Sequence, residues 1–117
     1  MRSTRRNATR WPRPNRALRP TLSLRDRMEL AREAAAFLRE QGASRVWLFG
    51  SLARGRPQDW HSDLDLAVEG LPPERYLGAL GELLMRLPLS LDLVEIERAA
   101  PLLREQILTD GIVLHAD

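Results

Sequence analysis

The chain lacks two residue types completely. Its 117 residues include no cysteine and no lysine, so all 18 of its basic side chains other than histidine are arginines. The absence of cysteine excludes a disulfide framework and a thiolate metal site, and it is typical of proteins from a reducing compartment. No apolar run approaches the roughly 18 residues that a membrane-spanning helix needs. We therefore expect a cytoplasmic domain with no membrane segment.

Arginine is distributed unevenly along the chain. Residues 1–20 contain seven arginines, three prolines and no acid, whereas residues 21–117 contain the other eleven arginines and all sixteen acids. Because proline interrupts helices and this segment has little to bury, we predict a disordered tail over 1–20 and one domain over 21–117. The tail is compatible with an arm for an acidic partner or with an extension that has no role. Nucleic acid is the less favoured partner, since the domain itself is net acidic.

Beyond the tail, apolar residues alternate between helical and strand spacing. The predicted elements, in order, are a helix from the Ser23 cap to Gly42, strands over 45–49 and 62–68, a helix from Pro72 to about Arg86, a strand over 91–96, a helix from about Ala99 to Leu108 and a strand over 112–114. This order predicts an α/β or α+β fold with one short mixed sheet of about four strands flanked by helices.

The first polar cluster follows the strand that ends at Phe49. The sequence there is Gly50-Ser51-Leu52-Ala53-Arg54-Gly55. A glycine at a strand end lets backbone N–H groups approach an anion, and a short following helix directs its positive end toward it. Ser51 adds a hydroxyl and Arg54 a guanidinium suited to phosphate. Taken alone, the pattern is that of an ordinary turn in most proteins.

The second cluster is the pair Asp63 and Asp65, separated by Leu64. Residues two apart in a strand share a face, so both carboxylates point the same way while their leucine neighbours point into the core. Adjacent like charges are stabilised by a cation between them, and Mg²⁺ prefers such oxygen ligands. The alternative interpretation is a solvated polar face of a half-buried strand.

A third acid, Asp92, lies within the apolar strand segment Leu91-Asp92-Leu93-Val94. Aspartate is depleted in strands, so its presence there calls for an explanation. If this strand pairs beside the strand of Asp63 and Asp65, three carboxylates converge on one patch. Such a patch serves two metal ions in phosphoryl transfer, and Asp92 could also accept the proton of an attacking hydroxyl.

Together, these three clusters resemble the minimal nucleotidyltransferase (MNT) family of the DNA polymerase β-like nucleotidyltransferase superfamily. The resemblance covers roughly residues 24–116. It implies a nucleotidyltransferase fold in which Gly50 and Ser51 hold the triphosphate of ATP and Arg54 steadies the phosphates. It further implies that Asp63, Asp65 and Asp92 are the catalytic acids and bind Mg²⁺, as two ions.

The resemblance also implies a biological role. Small members of this family act as antitoxins that transfer AMP from ATP to a hydroxyl, typically of tyrosine, on a HEPN-domain ribonuclease toxin. Two alternatives stay open: a non-catalytic antitoxin that occludes its partner, and an enzyme that modifies a small molecule such as an aminoglycoside. The sequence identifies neither the base that is recognised, nor the acceptor residue, nor the oligomeric state.

Overall fold

The computed structural model describes residues 22–53 and 64–116. The predicted tail over 1–20 lies outside these residues, so its disorder and the domain boundary stay predictions. The elements, in chain order, are α1 (Leu24–Glu40), β1 (Arg45–Phe49), α2 (Gly50–Ala53), β2 (Leu64–Glu69), α3 (Pro73–Arg86), β3 (Leu91–Glu95), a 3₁₀ turn (Ile96–Arg98), α4 (Pro101–Asp110) and β4 (Ile112–Ala116).

The limits of α1 follow from local chemistry. The Ser23 hydroxyl oxygen accepts a hydrogen bond from the Asp26 backbone N–H at 3.0 Å, which satisfies one of the free donors of the first turn. At the other end, Gly42 adopts a φ of 118°, which lets the chain leave the helix toward β1. Both predicted ends of this helix are confirmed to within about two residues.

Within the described part of the chain, the strands form one mixed sheet in the order β3-β2-β1-β4. β1 pairs antiparallel with β2 and with β4, and β2 pairs parallel with β3. The parallel pair needs a crossover, which α3 provides. The predicted mixed sheet of about four strands flanked by helices is therefore confirmed.

One face of the sheet is covered by α1 and α3. Successive side chains of a strand point to opposite faces of the sheet. On the face covered by the helices, Leu48, Leu64 and Leu66 are fully buried. They pack with Leu38 of α1 and Leu83 of α3 in the larger of two hydrophobic clusters. This face supplies most of the apolar burial that stabilises the fold.

Among the described residues, the opposite face is covered only in part. A smaller cluster joins Trp47 of β1 and Ala67 of β2 to Ile96 and to Ile107 of α4. The next row of the same face, one strand repeat further along, consists of Phe49, Asp65 and Asp92 by register. Phe49 and Asp65 are partly buried, whereas Asp92 is exposed. The sheet thus has two neighbouring acids, Asp65 and Asp92, at one end of its second face.

Several predicted boundaries are wrong by one or two residues: β2 ends at Glu69 and α4 at Asp110, one and two residues beyond the predicted ends. β3 ends at Glu95 because Ile96 begins the 3₁₀ turn, and α4 begins at Pro101, where a fixed φ and a missing N–H suit the first helical turn. β4 continues to Ala116, beyond the predicted Leu114, because it remains paired with β1 as far as Arg45.

None of the helices in the described ranges is long and apolar enough to cross a membrane.

Truncating Leu48 should test the core assignment. Leu48 is fully buried between the sheet and α1, so Leu48→Ala should lower the free energy of unfolding by about 2–5 kcal/mol through lost burial and a residual cavity. Leu102→Ala is the matched control, since Leu102 is 82% exposed, and it should change that free energy by less than about 0.5 kcal/mol. Urea unfolding of both variants is the measurement; equal losses would contradict the assignment.

Candidate active site

The site begins where β1 ends at Phe49. The next residue, Gly50, has a φ of 78° and opens the short helix α2. Phe49 pairs with Asp65 across the antiparallel ladder, which brings the Gly50 backbone against the Asp65 side chain. A β-carbon at position 50 would overlap the Asp65 carboxylate and lie 3.0 Å from its Cγ. Only glycine meets both the backbone and the steric requirement.

The second carboxylate comes from the neighbouring strand. Asp65 and Asp92 are register partners in the parallel pair of β2 and β3, so their side chains leave the same face of the sheet. Neighbouring strands lie about 4.8 Å apart, which places the two side chains next to each other. The predicted pairing of the Asp92 strand with the Asp65 strand is confirmed.

The topology explains why these groups meet. In an antiparallel pair, the end of β1 lies beside the start of β2, and in a parallel pair the starts of β2 and β3 lie side by side. Gly50, Asp65 and Asp92 are near the end of β1, the start of β2 and the start of β3. Three segments that are distant in sequence therefore converge at one end of the sheet.

The other predicted site residues are placed less completely. Ser51 lies in the first turn of α2 directly after Gly50, which agrees with the predicted short helix. Arg54 and Asp63 lie outside the described residues, and their assignments stay predictions.

The donor set fits a hard divalent cation. Two carboxylates on adjacent strands, one partly buried and one exposed, offer the oxygen ligands that Mg²⁺ takes while keeping water and phosphate in its remaining positions. Among the described residues, no cluster of three acids or histidines forms a metal centre. The third predicted ligand, Asp63, is outside that range. On this chemistry, Asp65 and Asp92 would hold the ion from the side of the sheet.

One polar contact near the carboxylates was not predicted from the sequence. The Tyr76 hydroxyl of α3 donates a hydrogen bond of 2.6 Å to the backbone carbonyl of Leu93, the residue after Asp92. The available signal was weak: Tyr76 is the only tyrosine of the chain, and it lies on a helix that is otherwise apolar toward the sheet.

The pKa of Tyr76 depends on the acids of β3 as well as on burial. Burial raises the pKa of the Tyr76 hydroxyl above its ordinary value of 10.0, and the negative charges of Glu95 and then Asp92 raise it further. A raised pKa in the folded state contributes stability that is fully present below pH 10 and is lost as the pH rises through the folded-state pKa.

Alkaline titration should reveal this coupling. Because Tyr76 is the only tyrosine, the phenolate absorbance of the folded protein reports its ionisation directly. We expect the midpoint above pH 10, with Glu95→Gln lowering the pKa more than Asp92→Asn, since Glu95 has the larger effect. A wild-type midpoint at or below pH 10 would contradict the placement of Tyr76.

Substitution of Gly50 should test the close approach to Asp65. Gly50→Ala should destabilise the fold by about 1–2 kcal/mol or more, because alanine disfavours a positive φ and its β-carbon overlaps the carboxylate. Gly78→Ala, in α3 with open space around the position, should instead stabilise it by about 0.4–1 kcal/mol. Thermal and urea unfolding measure both changes, and a stable Gly50→Ala variant would refute the steric argument.

Comparisons with known proteins agree with this fold. The family model described as "Polymerase beta, Nucleotidyltransferase" matches residues 33–117, well over half of the chain. No curated protein matches it. The chain is similar to a solved minimal nucleotidyltransferase, with a TM-score of 0.65 and 31% identity over 78% of this chain and 95% of the other.

Two solved toxin–antitoxin complexes are also similar. One contains AMP-PNP and matches with a TM-score of 0.62 and 27% identity over 74% of this chain and 73% of the other. The second is a tri-AMPylated Shewanella oneidensis HEPN toxin in complex with an MNT antitoxin, with a TM-score of 0.60 and 23% identity over 78% and 73% of the two chains. At that identity the second likeness shows the fold alone. With the family model and the 31% identical structure in agreement, the chain belongs to the polymerase β nucleotidyltransferase family, among its minimal members.

Proposed function

We propose that this nucleotidyltransferase transfers AMP from ATP to a hydroxyl, specifically that of a tyrosine, on a partner protein. The observation that carries the proposal is the pair of Asp65 and Asp92 beside the Gly50 turn at one end of the sheet. This arrangement joins acidic side chains to a turn of the kind that holds phosphates. The similar complex that contains AMP-PNP, an ATP analogue, supports ATP as the donor.

The partner we propose is a HEPN-domain toxin that this chain neutralises as an antitoxin. A similar antitoxin of the same fold is found with a tri-AMPylated HEPN toxin. The exposure of Asp92 supports a macromolecular acceptor, because a hydroxyl carried on another protein can reach an open carboxylate without entering a closed pocket.

Each residue then has a definite task. The backbone N–H groups at Gly50 and Ser51 bind the triphosphate, and Arg54 steadies it electrostatically. Asp63, Asp65 and Asp92 would hold Mg²⁺, as two ions, which when bound neutralises charge on the phosphates and orients the α-phosphate. Asp92 accepts the proton of the acceptor hydroxyl. The hydroxyl oxygen forms a bond to the α-phosphorus as the bond to the β-phosphate oxygen breaks, so pyrophosphate leaves with the bonding electrons.

Intact mass spectrometry should test the proposal. A HEPN-domain toxin, incubated with this protein, ATP and Mg²⁺, should gain mass in whole AMP units. Chelation of the metal should stop the gain, and returned Mg²⁺ should restore it. Asp63→Asn/Asp65→Asn should lower the rate by at least about 100-fold, as expected when a group that stabilises developing charge is lost.

The control for this variant is Glu29→Gln, which removes one carboxylate charge from the exposed side of α1 and should transfer AMP at the wild-type rate. A stable complex with wild type and double mutant alike, with no mass gain in either, would instead establish a non-catalytic antitoxin that occludes its partner. Mass gain on an aminoglycoside but not on the protein would establish a small-molecule enzyme.

A further inference from the structure

β3 is an edge strand in the described sheet. Its only strand neighbour is β2, since the order is β3-β2-β1-β4. β2, by contrast, is paired on both sides and is held in register by β1 as well. Backbone groups on the outer side of an edge strand have no ladder partner. The position of β3 therefore depends more on its contacts with the helices.

Tyr76 supplies one of these contacts. Its hydroxyl donates to the Leu93 carbonyl at 2.6 Å, a short and therefore well-formed hydrogen bond between α3 and the backbone of β3. Leu93 itself is buried against the helices, and the preceding residue, Asp92, projects to the other face. The hydrogen bond therefore fixes the strand one residue away from the carboxylate.

A shift of β3 along β2 would affect the site directly. Asp92 faces Asp65 only in the observed register, and the period of a strand is two residues, so a slip of one position would turn Asp92 into the helix-covered face. Smaller displacements would spread the two carboxylates beyond the reach of a shared ligand.

We propose that Tyr76 is a positioning residue for Asp92: its hydrogen bond to Leu93 holds the edge strand β3 where Asp92 and Asp65 can act on the same metal–nucleotide complex. This role rests on the proposed function and adds to it a residue outside the acidic and glycine motifs.

The raised pKa of Tyr76 agrees with this placement, because Glu95 and Asp92, on either side of Leu93, both act on the hydroxyl.

The chain contains a matched control in the same helical turn. The Arg75 guanidinium donates a hydrogen bond of 3.0 Å to the Gln41 carbonyl at the end of α1. Arg75→Ala therefore removes a side-chain tie between α3 and α1, while leaving the tie between α3 and β3. If the effect of Tyr76→Phe came from general loosening of α3, Arg75→Ala would show the same effect.

The experiment compares the full-length wild type with Tyr76→Phe, Arg75→Ala and Asp92→Asn at a temperature where all four are folded by circular dichroism. Hydrogen exchange of the β3 amides reports the strand, and calorimetric titration with Mn²⁺ and AMP-PNP reports the site. Tyr76→Phe should speed β3 exchange and weaken Mn²⁺–AMP-PNP binding by about 3- to 10-fold, the range for one lost hydrogen bond. Arg75→Ala should leave both within about twofold of wild type.

Turnover separates a positioning role of Tyr76 from a purely structural one. Tyr76→Phe should lower kcat for AMP transfer while the KM for the acceptor protein stays unchanged, because the acceptor surface is intact. Unchanged β3 exchange and unchanged Mn²⁺–AMP-PNP binding in Tyr76→Phe would overturn the positioning role, as would equal effects in Arg75→Ala. A wild type that binds Mn²⁺–AMP-PNP but transfers no AMP would refute the proposed function alone, since the binding and exchange comparisons would still decide the role of Tyr76.

Discussion

The contact between the bare Gly50 backbone and the Asp65 carboxylate is the constraint on which the site depends. The positive φ of Gly50 turns the chain from β1 into α2, and the missing β-carbon leaves the space that the carboxylate occupies. A side chain here would push Asp65 away from its observed position or deflect the turn from β1 into α2. The position of Asp65 and the turn after β1 thus share a single steric requirement.

The two faces of the sheet differ in what they carry: one holds most of the buried apolar side chains, and the other holds the two acids. Its first face is closed by α1 and α3 around fully buried leucines, so most of the hydrophobic free energy is gained there. Among the described residues, its second face carries a small cluster around Trp47, Ala67 and Ile107, and the adjoining row contains the two acids Asp65 and Asp92. Charged side chains would be costly within the first face, whereas at the open end of the second they keep their access to water.

Much of the fold is readable from local pattern. The cap at Ser23, the alternation around Asp65 and the glycine after Phe49 each act within a few residues, which is why the elements and the positions of Gly50, Ser51, Asp65 and Asp92 could be predicted. The exact ends of β3 and α4 could not, because the turn at Ile96 depends on packing against Trp47 and Ala67 rather than on a local signal. Tyr76 was missed for a related reason: its hydrogen-bond acceptor is a backbone carbonyl 17 residues away.

The sequence by itself determined which groups are available and which face of its own strand each occupies. Strand period places Asp65 opposite to Leu64 and Leu66, and the family pattern identifies the acids and the glycine turn as one set. The tertiary structure decided that Asp92 pairs with Asp65 and that Gly50 lies against the Asp65 carboxylate. It also decided that Tyr76 of α3 donates a hydrogen bond to the backbone of β3. These outcomes depend on strand order and register, which are set by the burial of both sheet faces at once and not by any single segment of the chain.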